Sequence, residues 1–89
     1  MQNEESLKSL LITAPEDQLD PSLVSLVKSW DEEPTALQIL ELLDKAAFSA
    51  GASEFVMHVL QEFLSLALVE EDTTYEAVVA QAYWRHSVQ

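Results

Sequence analysis

The chain has 89 residues, enough for one small domain with a single core and little room for an enclosed active site. Sixteen acidic residues against four basic ones give a net charge of −12, which disfavours phosphate backbones and anionic membrane surfaces. There is no cysteine, so disulfides and thiolate metal sites are excluded, and the 48% apolar share is that of a folded domain.

Glu4 and Glu5 stand where a secretory leader would need lysines, and the longest uncharged apolar run, residues 63–69, is too short to span a bilayer. The composition therefore predicts a cytoplasmic protein with no membrane contact.

One glycine, three prolines and recurrent three- and four-residue apolar spacing predict helices throughout. The first covers about 4–13, with Leu7, Leu10 and Leu11 as its stripe and Pro15 closing it. "APEDQLD" follows as a polar loop. Asp20 caps the second helix and Pro21 occupies its first turn; Leu23, Leu26, Val27 and Trp30 share one face. "DEEP" ends that helix and supplies carboxylates for the positive end of the next.

The third helix starts at Pro34 or Thr35 and runs to about Ala50. Its stripe is Ala36, Leu40, Leu43 and Ala47, widened by Leu37, Ile39 and Ala46. Gly51, the sole glycine, is expected in a left-handed position just past its end. Ser53 caps the fourth helix, which carries two adjacent stripes: Phe55, Val59, Phe63 and Leu66, and Val56, Leu60 and Leu64. This is the most apolar helix, so it is placed at the centre, where a second copy or another protein could complete its cover. Thr73 and Glu76 form a capping box for a fifth helix bearing Tyr75, Val78, Val79, Ala82 and Tyr83, with Arg85 and His86 at its negative end. The expectation is one all-α domain, 1–89. It is a compact bundle of four to five short helices around the fourth, with a helix-turn-helix-like corner at 47–60.

At that corner, Ala47, Gly51, Ala52, Ser53, Met57 and Leu60 resemble the helix-turn-helix pattern, in which small residues let the second helix pack close. With "LVEED" after it, the stretch 36–72 also resembles part of a winged-helix domain, which implies a wing strand after the fourth helix. DNA-reading helices present arginine, lysine, asparagine or glutamine to base edges. Here the outward positions are Glu54, His58, Gln61 and Glu62, and the fifth segment reads as helix where a second wing strand belongs. Nucleic acid is therefore not an expected partner, and a winged-helix-like domain turned to protein contact is kept as an alternative.

"GASEFVMHVLQEF" resembles the serine-bearing helix start of acyl carrier proteins, which implies a prosthetic arm on Ser53. The aspartate before that serine is Ala52 here, and the leucine after it is Glu54. A helix also replaces the long loop that precedes it. Ser53 as a helix cap is the plainer reading, with carrier function as an alternative.

His58 and Glu62 stand one turn apart, but the two histidines of the chain lie on different helices, short of the three or four ligands zinc requires. No serine has a partner base, and no glycine-rich loop could cradle phosphate. Neither an enzyme nor a cofactor or metal is expected. The sequence points to a protein–protein interaction module without catalysis of its own: an adaptor, an inhibitor or a small regulatory subunit. One specific form is an acidic inhibitor that fills a nucleic-acid-binding groove with carboxylates. It would meet a basic or apolar protein surface through an acidic, partly apolar helical face, with Trp30, Glu54, His58, Glu62 and Trp84 as partner-binding candidates, and homo-oligomerisation is an open option.

Overall fold

Every helix begins on a hydroxyl or carboxylate that accepts a free backbone amide, and these caps set the segmentation. The computed structural model describes the backbone of residues 6–87 and the side chains of 6–84. Helix α1 is Leu7–Ile12, α2 Pro21–Lys28, α3 Ala36–Ser49, α4 Glu54–Glu70 and α5 Tyr75–Ser87. Ser6 Oγ accepts from Ser9 N at 3.1 Å, Asp20 Oδ1 from Ser22 N at 2.9 Å, and Ser53 Oγ from Val56 N at 3.2 Å. Among the described residues there are five helices and no strand beyond one isolated antiparallel bridge, Leu19 with Ala52. The all-α bundle is thus the fold. The expected charges at Glu4 and Glu5, and the side chains of Arg85 and His86, lie outside the described residues.

The capping box sits on α3 rather than α5. Thr35 Oγ1 accepts from Gln38 N while Gln38 Oε1 accepts from Thr35 N at 3.0 Å. At α5 the cap is Thr74, one residue later than expected, with Ala77 N donating to its hydroxyl at 3.1 Å. That register puts alanine where a box needs glutamate or glutamine.

The acidic clusters also serve different helices from those next to them in sequence. Glu33 accepts from Leu7 N, at the start of α1, at 3.2 Å. The first amide of α3, Ala36 N, is taken instead by Glu71 from beyond the end of α4, at 2.8 Å. Two carboxylates thereby tie distant helix starts into the bundle, each favoured by the positive end of the helix it meets.

The centre is α3, not α4. Helix α3 packs against α2, α4 and α5. It buries Ala36, Ile39, Leu40, Leu42, Leu43 and Ala46, while Ala47, expected in the stripe, is exposed. Helix α4 buries only Val56, Leu60 and Leu64. Leu7 and Leu11 of α1, Leu23 and Val27 of α2, and Val78 and Ala82 of α5 complete the core together with Leu19 and Trp30. Leu19 lies in the segment read as a polar loop, yet it is only 1% exposed.

The corner between α3 and α4 explains Leu19. Ala50, not Gly51, takes the left-handed backbone (φ 55°), and Gly51 N then donates to Ala46 O at 3.0 Å. Glycine at 51 is favoured by space instead. A Cβ there would lie 2.9 Å from Leu23 Cδ1 and 3.2 Å from Asp20 Cβ. The loop before α2 runs directly over it: Asp20 N donates to Gly51 O at 2.7 Å and Ser53 N to Gln18 O at 2.8 Å. This two-bond seam fixes the start of α2 against the start of α4 and presses Leu19 into the core.

Candidate interaction surface

The two stripes of α4 have separate fates. Val56, Leu60 and Leu64 face α3 and the core. Phe55 and Leu66 remain 69% and 59% exposed, and Val59 and Phe63 are half-buried beside them. Val69, one turn further round, is also exposed. Helical geometry places Glu62 on the same outward face, between Val59 and Leu66.

Two hollows lie along the seam where this face meets α1. The first, of about 340 Å³, is bounded by Leu10 and Ala14 on one side and Phe55 and Val59 on the other. The second, of about 300 Å³, lies between Leu7 and Phe63 with Leu66, and Glu33 and Glu70 stand in its wall. Among the described residues, no lysine or arginine lines either hollow. Lys8, the cation on α1, donates to the Trp30 carbonyl instead.

Glu54, His58 and Glu62 are all exposed on α4. His58 Nε2 and Glu62 Oε2 are 3.0 Å apart across one turn, with both side chains about two-thirds exposed, so solvent screens the pair and it contributes little to stability. Trp30 is not at the surface: it is 6% exposed and packed in the core, so its ring offers no anchor. Trp84 is exposed on α5 next to Tyr83. It belongs to a different helix from the acidic candidates, one packed on α3, so the five candidates do not form one site.

Among the described residues the most exposed large apolar side chain is Phe48 (95%), which belongs to no expected stripe or site. The signal was available, because position 48 falls on the side of α3 opposite Ala46. Phe55 and Leu66, expected within an apolar stripe of a central helix, are surface. Two equally apolar stripes on one helix gave no means of choosing between them.

Ser53 is engaged on both sides. Besides capping α4, its hydroxyl donates to Gln18 Oε1 at 3.0 Å. This hydroxyl is half-buried and joins the loop before α2 to the corner. After α4 the chain turns through Asp72 (φ 55°), with Thr73 N donating to Leu68 O at 3.0 Å, and enters α5 directly. A helix therefore stands where the winged-helix resemblance implies a strand. Among the described residues, no group of three or more histidine, aspartate or glutamate side chains could hold a metal ion, and no helix is long and apolar enough to cross a membrane. No protein-family model matches the chain, and no curated protein or solved structure matches it either.

Proposed function

We propose that this chain is a protein–protein interaction module without catalysis of its own, acting as an adaptor, inhibitor or small regulatory subunit. The observation that carries this reading is the outward face of α4, where Phe55 and Leu66 stand exposed among carboxylates on a chain of net charge −12. Large apolar groups grouped on a monomer's surface with a charged surround suit a partner that covers the first and neutralises the second. The partner is accordingly a protein with a basic or apolar surface. Opposite charge would speed encounter and make association salt-sensitive.

The experiment is capture of partners from source cells by the tagged full chain over a range of salt. The expected outcome is a specific co-purifying protein that is lost as salt rises. A chain that retains nothing at any salt would end the reading.

A further inference from the structure

We propose that the seam between α1 and α4 is a groove that docks a cationic amphipathic helix of a protein partner. This rests on the interaction reading above and gives it a place and a partner type. The α4 wall repeats apolar side chains at Phe55, Val59, Phe63 and Leu66, one per turn, over about 17 Å of helix. A helix laid along such a wall inserts its own side chains at three- and four-residue spacing, so three to four turns of partner would fill both hollows.

Charge selects the occupant. Glu33 and Glu70 line one hollow, Glu62 stands on the α4 face between them and the other, and the exposed Glu16 and Asp17 follow Pro15 at the far end. Among the described residues no cation lines either hollow, and carboxylates line the one beside Leu7, while the walls of the one beside Leu10 are apolar and uncharged. A helix with leucine-like side chains inward and lysine or arginine at its edges satisfies both features. A second copy does not, because a two-fold contact through this face would set each rim against its own duplicate. The chain's own residues 1–5, MQNEE, carry two carboxylates and a single large apolar side chain, the wrong chemistry for the same place.

The probe is a labelled synthetic peptide of about four turns, made of leucine and lysine so that one helical face is apolar and the other cationic. It is titrated with the full chain at low salt. The proposal expects saturable binding that weakens with salt and is about tenfold tighter than for a scrambled peptide of the same composition. Phe55→Ser with Leu66→Ser should weaken binding about tenfold, and so should Glu62→Lys with Glu70→Lys. Tyr75→Ser with Val79→Ser on α5 should leave it unchanged. Thermal melts of each variant confirm folding, and the charge-reversal pair keeps the test alive if the serine pair unfolds.

Equal binding of the scrambled peptide would reduce the effect to net charge and overturn the proposal. Full binding by both groove variants would overturn it too, as would a wild-type dimer in sedimentation that the serine pair dissolves. If the salt-sensitive cellular partner is still captured by both groove variants, the interaction reading survives and only its location falls. If no cellular partner is captured by any form, the interaction reading falls with it.

Discussion

Helices α3 and α4 meet at one corner and are both rich in large apolar residues, yet α3 buries six of its fourteen side chains and α4 three of its seventeen. The difference lies in neighbours rather than in composition. Helix α3 packs against α2, α4 and α5, so a broad face of it finds apolar cover. Helix α4 rests on α3 along one stripe; of its second stripe Val59 and Phe63 reach the core edge, while Phe55 and Leu66 stay exposed beside hollows shared with the short helix α1. Total hydrophobicity therefore identifies a helix with much to bury, but it does not say whether this chain or another does the burying.

The largest expected effect is a matched pair that could break this comparison. Leu42→Ala removes a fully buried side chain from α3 and should cost about 2–5 kcal/mol in denaturant unfolding. The same change at Leu66 on α4 should cost less than about 0.5 kcal/mol. Similar losses at both positions would mean that the outward stripe of α4 belongs to the core after all.

The corner that joins the two helices gives the next effect, with opposite signs at adjacent residues. Gly51→Ala forces a methyl against Leu23 and Asp20 and should destabilise by about 1–3 kcal/mol. Ala50→Gly relieves a left-handed alanine and should stabilise by about 1 kcal/mol. Were glycine needed at 51 for its backbone angles, the second substitution would bring no gain.

Glu71→Gln tests the link from the end of α4 to the start of α3. It keeps an acceptor for Ala36 N but removes the charge that favours the positive end of the helix, and a loss of about 0.3–1 kcal/mol is expected. That loss should shrink in high salt, measured by urea midpoints.

The smallest effect concerns pH. The backbone amide of Ser22, and then its hydroxyl, donate to the Asp20 carboxylate and hold it below the usual carboxylate range. Because its folded value is lowered, Asp20 contributes stability that is complete above the unfolded value and is lost as pH falls through the folded one. Asp20→Asn, which still caps, should therefore flatten the acid limb of the stability curve slightly.

The parts of this fold that are legible in the sequence are local. The Asp20-Pro21 start, the Ser53 cap and the helical spacing depend on residues within one turn of each other, and each was placed correctly. The capping box was set at Thr73 because Thr73 and Glu76 fit the pattern. Thr35 and Gln38 fit it equally and form the actual box. Glu33 and Glu71 act across 26 and 35 residues, a distance at which no sequence pattern operates. Gly51 suggests its usual left-handed role by position, while the crowding it relieves comes from Leu23 of α2 and Asp20 before it, far off in sequence. At the candidate surface, the outward positions of Glu54, His58 and Glu62 follow from helical spacing, whereas core packing is the default for both tryptophans and holds for Trp30 alone. Trp30 and Trp84 both stand near helix ends, and that position does not tell a buried ring from an exposed one.

The most direct test of the division between α3 and α4 is partner capture from source cells by the Phe55→Ser, Leu66→Ser protein at low salt, alongside its thermal midpoint. The account predicts a midpoint within about 5 °C of wild type and loss of the captured partner. An unchanged midpoint with undiminished capture would contradict it, and a large fall in midpoint would return the outward stripe to the core.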